Sequence, residues 1–195
     1  KNDFYQLSFK KLFGSILEGT HLLFTPSAMA RVDIYQEQIK FWDGCVFKTA
    51  ADIDVWLRFS LVKDVGLITK KLMSYRLSEA SYTYRTQFIR MESSDLLKVV
   101  DYYLDNYAHL GFSLVDCKYL KFKDNVIIFG NKLLNNDKPN CKEIKVSDFF
   151  TIGNIFFSKK KTAIFFYAIL LKTLTCLNLN FIALRVVKLA YKYKI

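Results

Sequence analysis

The stretch Ala50-Ala51-Asp52-Ile53-Asp54-Val55-Trp56-Leu57-Arg58 decides how this chain is read. Taken alone, the alternation of Val55, Leu57, Phe59 and Leu61 suits a half-buried strand. Asp54 and Arg58, however, stand four residues apart with the acid first, the order that favours an ion pair along a helix. The spacing therefore predicts a helix from Asp52 to Val62. Asp52 would serve as its N-cap, a carboxylate accepting from free backbone N–H groups and kept ionised by the helix dipole.

Working outward, residues 1 to 19 read as an amphipathic helix on the spacing of Phe4, Leu7, Phe9, Leu12, Phe13 and Ile16, stopped at Gly19-Thr20. Leu22 to Ala30 is a loop or short strand broken by Pro26, Val32 to Ile39 a helix, and Asp43-Gly44 a turn. Val65 to Ile68 and Leu72 to Leu77 are strand candidates, followed by a polar, aromatic loop from Ser78 to Thr86. Gln87 to Tyr107 is the longest periodic helix, with Gly111 placed as a stop. Val115 to Leu134 is ambiguous, and Val126 to Phe129 fits helix or strand equally. Asn135 to Asn140 is a loop and a domain boundary, giving residues 1–134 and 135–195.

Four pieces follow one another here: T-P-S-A-M-A-R (Thr25 to Arg31), the turn Phe41-Trp42-Asp43-Gly44, A-A-D-I-D-V-W-L-R (Ala50 to Arg58), and K-L-M-S-Y-R-L-S-E-A-S (Lys71 to Ser81). In this order they resemble the acceptor-side half of family-2, GT-A-fold glycosyltransferases. That family has a small-residue strand ending in Arg, a Gly-Phe-Asp-Glu-like turn, an acidic helix start with Trp and Arg, and a strand ending in Tyr-Arg. The resemblance implies an α/β fold class: a partial GT-A (nucleotide-diphospho-sugar transferase-like) domain over residues 1–134, followed by a helical C-terminal region. It implies an enzyme that moves a sugar, with inversion, from a nucleotide-sugar donor to a glycan or lipid-linked acceptor, as in cell-envelope polysaccharide synthesis. The family's donor-binding half, with its strand, nucleotide-base loop and metal-binding Asp-x-Asp, has no counterpart upstream of Phe24. The chain therefore reads as a fragment, inactive alone. The alternative is a non-catalytic membrane-interaction module derived from the same fold.

By that resemblance Asp52 is the catalytic base and Arg76 binds the donor diphosphate as a fixed cation. Ser27, Arg31, Asp54, Trp56 and Arg58 are candidates for the acceptor cleft, with Trp56 either a core residue or a sugar-stacking one. Asp52-Ile53-Asp54 has the outward form of the family's metal motif, yet it opens an amphipathic helix instead of closing a strand, so Asp54 is assigned to Arg58. Where the family often places a metal-holding His after the Tyr-Arg strand, this chain has Ser78. No metal ligand is assigned here. The intact enzyme would admit a divalent ion, Mg or Mn, at an Asp-x-Asp site this chain lacks.

Charge supplies the remaining expectation. The net charge is +11, and from Lys142 to Ile195 ten Lys and Arg face only Glu143 and Asp148. Lys159-Lys160-Lys161 precedes an apolar run that is marginal in length for a membrane span. Cations beside apolar residues suit a helix lying in an anionic membrane surface. The expected location is cytoplasmic, peripheral on the inner face of the cell membrane. No nucleic-acid motif is present, so no nucleic-acid partner is expected. Cys45, Cys117, Cys141 and Cys176 are scattered singly and read as four buried thiols.

Overall fold

The computed structural model describes residues 3–20, 25–74, 90–147 and 159–193. They are mostly helical, with one two-stranded antiparallel sheet. This agrees with mixed helix and strand followed by a helical C-terminal region. The chain forms two compact units. The first comprises Lys1–Arg76 and Ser94–Cys117, the second Leu77–Ser93 and Lys118–Ile195. Asn135 to Asn140 lies inside the second.

In the first unit, the amphipathic segment at the N-terminus divides in two. Strand β1 (Phe4–Leu7) pairs antiparallel with β2 (Val65–Ile68), Phe4 opposite Ile68 and Leu7 opposite Val65. Residues 4–7 were expected to be helical; a sheet partner about sixty residues away outweighs their local spacing. Helix α1 (Phe9–Leu17) then buries Phe9, Leu12, Phe13, Ile16 and Leu17, one stripe at three- and four-residue intervals. Gly19 ends it at φ 70°, with Thr20 N–H donating to the Ser15 carbonyl at 2.8 Å. That left-handed closing turn suits glycine because no Cβ opposes it.

Helix α2 (Val32–Ile34) continues into a π-helical turn, Tyr35–Ile39. Asp43 is no simple turn residue: its carboxylate caps α3 (Gly44–Phe47) by accepting from Val46 N–H at 3.1 Å. A 3-10 turn, Lys48–Ala50, leads into α4 (Ala51–Val62). Here the expected N-cap is corrected. The capping position is Ala50, and Asp52 stands inside the first turn, because the preceding 3-10 turn brings the helix start forward.

Helix α5 (Asp95–Asn106) is shorter than the periodicity of Gln87 to Tyr107 suggests. Residues 90–94 are irregular, and Ser94 caps the helix by accepting from Leu96 N–H. Its Tyr103 and Tyr107 pack on Phe9 at ring separations of 5.6 and 5.3 Å, and Phe112 closes edge-on over Phe13 at 4.7 Å. Asp95 reaches back to Thr49, accepting from its hydroxyl at 2.8 Å. Aromatic packing and this polar tie hold α1, α4 and α5 about one core. Leu72 to Ser74, expected to be strand, carry no strand pairing, and Tyr75 to Leu77 lie outside the described residues.

The second unit is built on α6 (Leu114–Leu134) from Lys118 onward, α7 (Lys159–Cys176) and α8 (Asn180–Tyr193). Its core brings Tyr119, Phe122, Val126, Phe129 and Leu133 of α6 against Phe165, Ala168 and Leu171 of α7 and Ala183 and Val187 of α8. The helix-or-strand ambiguity at Val126 to Phe129 is thus decided for helix. Arg90 pairs with both Asp124 carboxylate oxygens, and its carbonyl accepts from Asn131. Tyr191 donates to Asn131 in turn. Asn140 and Glu143 form a reciprocal capping box, and Lys132 pairs with Glu143 at 2.7 Å.

Of the cysteines only Cys117 is buried. Cys45 and Cys176 are exposed, and Cys141 is half-buried. Cys176 hydrogen-bonds Cys141, which raises its thiol pKa. Among the described residues no helix is long and apolar enough to cross a membrane.

Candidate functional site

Helix α4 presents two different chemistries because successive residues turn by about 100°. Asp52 and Asp54, two apart, therefore leave the helix in nearly opposite directions.

Asp52 and Trp56, one turn apart, share the first face, and both are half-buried. The 3-10 turn Thr25–Ser27 meets them there. Thr25 donates its hydroxyl to Asp52 Oδ2 at 2.5 Å and accepts from the Trp56 indole N–H at 3.3 Å. Asp52 Oδ1 accepts from Ile53 N–H at 2.8 Å. The indole stacks on Phe59 with centroids 5.6 Å apart, and Phe59 stacks on Tyr35 at 6.1 Å. A carboxylate already holding a hydroxyl thus sits at one end of an aromatic ladder.

The second face is structural in its chemistry. Asp54 is buried and accepts from Arg58 Nε and from the Tyr103 hydroxyl, each at 2.9 Å. Arg58 spends its other N–H groups on the carbonyls of Ile39 (2.8 Å) and Phe41 (2.7 Å), with the Phe41 ring 4.7 Å from the guanidinium carbon. The planar fork thereby fixes the Ile39–Phe41 turn against α4. Burial, and then the Asp54 carboxylate, push the Tyr103 phenol far above its ordinary pKa.

The expected site residues therefore separate. Asp52 and Trp56 come together around Thr25, and Ser27 is exposed on the same 3-10 turn. Asp54 and Arg58 pair with each other, turned away from Asp52. Arg31 lies exposed before α2 and grips Asp33 through two hydrogen bonds of 3.1 and 2.6 Å, raising its own pKa and lowering that of Asp33. Arg76 and Ser78 lie outside the described residues.

A divalent ion does not fit the Asp52-Ile53-Asp54 pair. The two carboxylates diverge, and Asp54 is taken by a cation and a phenol. Among the described residues no group of three or more His, Cys, Asp or Glu side chains is placed to hold a metal.

Two contributors escaped the sequence reading. Thr25 precedes a proline and reads as loop punctuation, and Tyr103 reads as one more apolar helix position. Neither carries a local signal, since each partner lies 27 or 49 residues away. No protein-family model, no curated protein and no solved structure matches the chain.

Proposed function

We infer that this chain carries the acceptor side of a sugar-transferring site, with Asp52 as general base. In the proposed reaction Asp52 takes the proton from an acceptor hydroxyl as that oxygen attacks the anomeric carbon of a nucleotide sugar. A new glycosidic C–O bond forms on the face opposite the departing group. The bond from the anomeric carbon to the diphosphate breaks, the nucleotide diphosphate leaves with the electron pair, and the sugar is inverted. The acceptor is a glycan or a lipid-linked sugar.

One observation carries this reading: a half-buried, first-turn carboxylate whose outer oxygen accepts from a hydroxyl, flanked by an indole. An acceptor sugar hydroxyl displacing the Thr25 hydroxyl would meet the base at hydrogen-bond distance, the geometry that proton abstraction needs. The ladder of Trp56, Phe59 and Tyr35 offers flat apolar faces to a pyranose ring. In this reading Arg76 would bind the donor diphosphate as a fixed cation.

The test is sugar transfer by the natural full-length protein, supplied with nucleotide sugars and an oligosaccharide acceptor series. Asp52→Asn preserves shape and should lower turnover by roughly 10²–10⁴, the usual contribution of a general base. Thr25→Ala should leave turnover within several-fold of the parent and alter acceptor affinity more. A folded Asp52→Asn protein that transfers sugar at the parental rate ends this assignment.

A further inference from the structure

Helices α7 and α8 form a hairpin joined by Leu177 to Leu179, and the side chains it leaves uncovered are arranged for a purpose distinct from its core. The buried positions Phe165, Ala168, Leu171 and Thr175 run along one side of α7. The opposite side exposes Ala163, Phe166, Leu170, Thr173 and Leu177 at regular intervals of three and four. Phe166 is 60% exposed and Leu177 63%. On α8 the buried stripe is Ala183, Val187 and Ala190, while Phe181 (64% exposed), Ile182 and Leu189 (54%) remain uncovered. An open apolar groove of about 340 Å³ runs between the helices, lined by Ala163, Phe166 and Leu170 from one and Val186 and Leu189 from the other. Scattered apolar residues need no explanation, but a continuous two-helix apolar face does.

The charges beside this face are all of one sign. Residues 149–195 contain no Asp or Glu, and their charged side chains are Lys159, Lys160, Lys161, Lys172, Arg185, Lys188, Lys192 and Lys194. Lys159 and Lys160 are exposed where α7 begins, at the end of the hairpin away from the Leu177–Leu179 turn, and Arg185 and Lys188 are exposed on α8. On the helical wheel Arg185 and Lys188 lie along one side of the apolar line of Ile182, Val186 and Leu189, with Phe181 between the two cations. The Arg185 guanidinium lies over the Phe181 ring at 4.3 Å, so the cation travels with the apolar surface. Lys172 is engaged elsewhere, donating to the Ile144 carbonyl at 2.8 Å.

We propose that the exposed face of the α7–α8 hairpin docks on an anionic phospholipid bilayer, lying in the interface with its groove and Leu177–Ile182 turn among the upper acyl chains. Charge complementarity selects this occupant. A second copy of the chain would bring one uncompensated cationic face against another. Nucleic acid would answer the cations and leave the apolar groove facing phosphates. An anionic bilayer satisfies both, with headgroups for the cations and hydrocarbon for the groove. Neither helix qualifies as a membrane span, which fits a hairpin lying along the surface. The inference does not depend on the transferase reading.

The experiment is flotation of the full chain with vesicles of phosphatidylcholine alone or mixed with phosphatidylglycerol, at low and high salt. The chain should float with the mixed vesicles, stay behind with the neutral ones, and release as salt rises. Each cation lost should weaken partitioning about fivefold, so Arg185→Gln with Lys188→Gln should weaken it roughly twenty-five-fold. Leu170→Ser with Leu189→Ser should also abolish flotation. Both positions are exposed, so circular dichroism should confirm that the fold survives. Equal flotation with neutral and anionic vesicles overturns the proposal, as does no flotation with either. Self-association relieved by the serine pair, or salt-sensitive binding to DNA or RNA by a chain that ignores the vesicles, overturns it as well.

Discussion

Asp54→Ala would withdraw the one carboxylate on which Arg58 and Tyr103 converge. Its side chain is 3% exposed and that of Arg58 20%, so the pair is shielded from water on the carboxylate side. Removing one member of a fully buried pair costs about 3–5 kcal/mol, chiefly because the other charge is left without its counterion. Arg58 would keep the Ile39 and Phe41 carbonyls and some solvent. The lower end of that range therefore applies, about 3 kcal/mol, which reduces the folded-to-unfolded ratio roughly 150-fold. Urea unfolding followed by tryptophan emission reads this directly. The chain's two tryptophans, Trp42 and Trp56, both lie in the first unit, so the second does not contribute to the signal. Tyr103→Phe keeps the ring contacts with Phe9 and Phe13 and removes only the hydroxyl, a hydrogen bond to a charged group worth about 1.5–3 kcal/mol. It should fall between the parent and Asp54→Ala. Replacing both partners with apolar residues, Asp54→Leu and Arg58→Met, should recover part of the loss, since neither charge is then desolvated. An Asp54→Ala protein within about 0.5 kcal/mol of the parent would show that Asp54 behaves as a surface residue. The account of the α4–α5 joint would then be wrong.

In the second unit Arg90→Ala removes a guanidinium bound to both Asp124 oxygens and to the Glu92 carbonyl. Helical circular dichroism in denaturant should show that unit weakened by about 3 kcal/mol while the tryptophan transition stays put. Tyr103, Tyr119, Tyr167 and Tyr191 all have phenols raised above the ordinary value, first of all by burial. Folded chains keep these protons where unfolded chains lose them. Stability is therefore complete below about pH 10 and falls as pH climbs further. Tyrosinate absorbance should rise modestly near pH 10 and then jump with unfolding; a single smooth titration of every tyrosine would contradict the burial. Gly111 holds φ 66° with no atom near a notional Cβ, so Gly111→Ala should cost about 1 kcal/mol for backbone reasons alone. Gly14, inside α1 and equally open, should respond oppositely: Gly14→Ala should stabilise by about 0.5–1 kcal/mol in the same tryptophan assay.

How far the candidate site could be read beforehand depends on the range of each interaction. The Asp54–Arg58 pair follows from helical geometry over four residues, and sequence spacing sufficed. Thr25 at Asp52 and Tyr103 at Asp54 could not be read, because a side chain's partner across 27 or 49 residues depends on packing. Asp52 illustrates a finer limit. Spacing correctly started a helix beside it, yet its role changed from cap to first-turn residue once the 3-10 turn at Lys48–Ala50 was in place. Val126 to Phe129 was undecidable for a related reason. Four apolar residues in a row mask the three-and-four spacing of Tyr119, Phe122, Val126, Phe129 and Leu133 that buries one face of α6.

By itself the amino-acid order determined what local forces control: the apolar stripe of α1, its glycine stop, the α4 ion pair, and a cationic, acid-free C-terminal segment. Each rests on contacts within one or two helical turns or on composition. Tertiary structure alone decided that Phe4–Leu7 is a strand, since its hydrogen-bonding partner is Val65–Ile68. It alone joined Cys141 to Cys176 and Arg90 to Asp124, and it alone divided the apolar residues of α7 and α8 between a buried core and an exposed face. Periodicity states that a helix has an apolar side. Only the neighbours that the rest of the chain supplies decide how much of that side is covered.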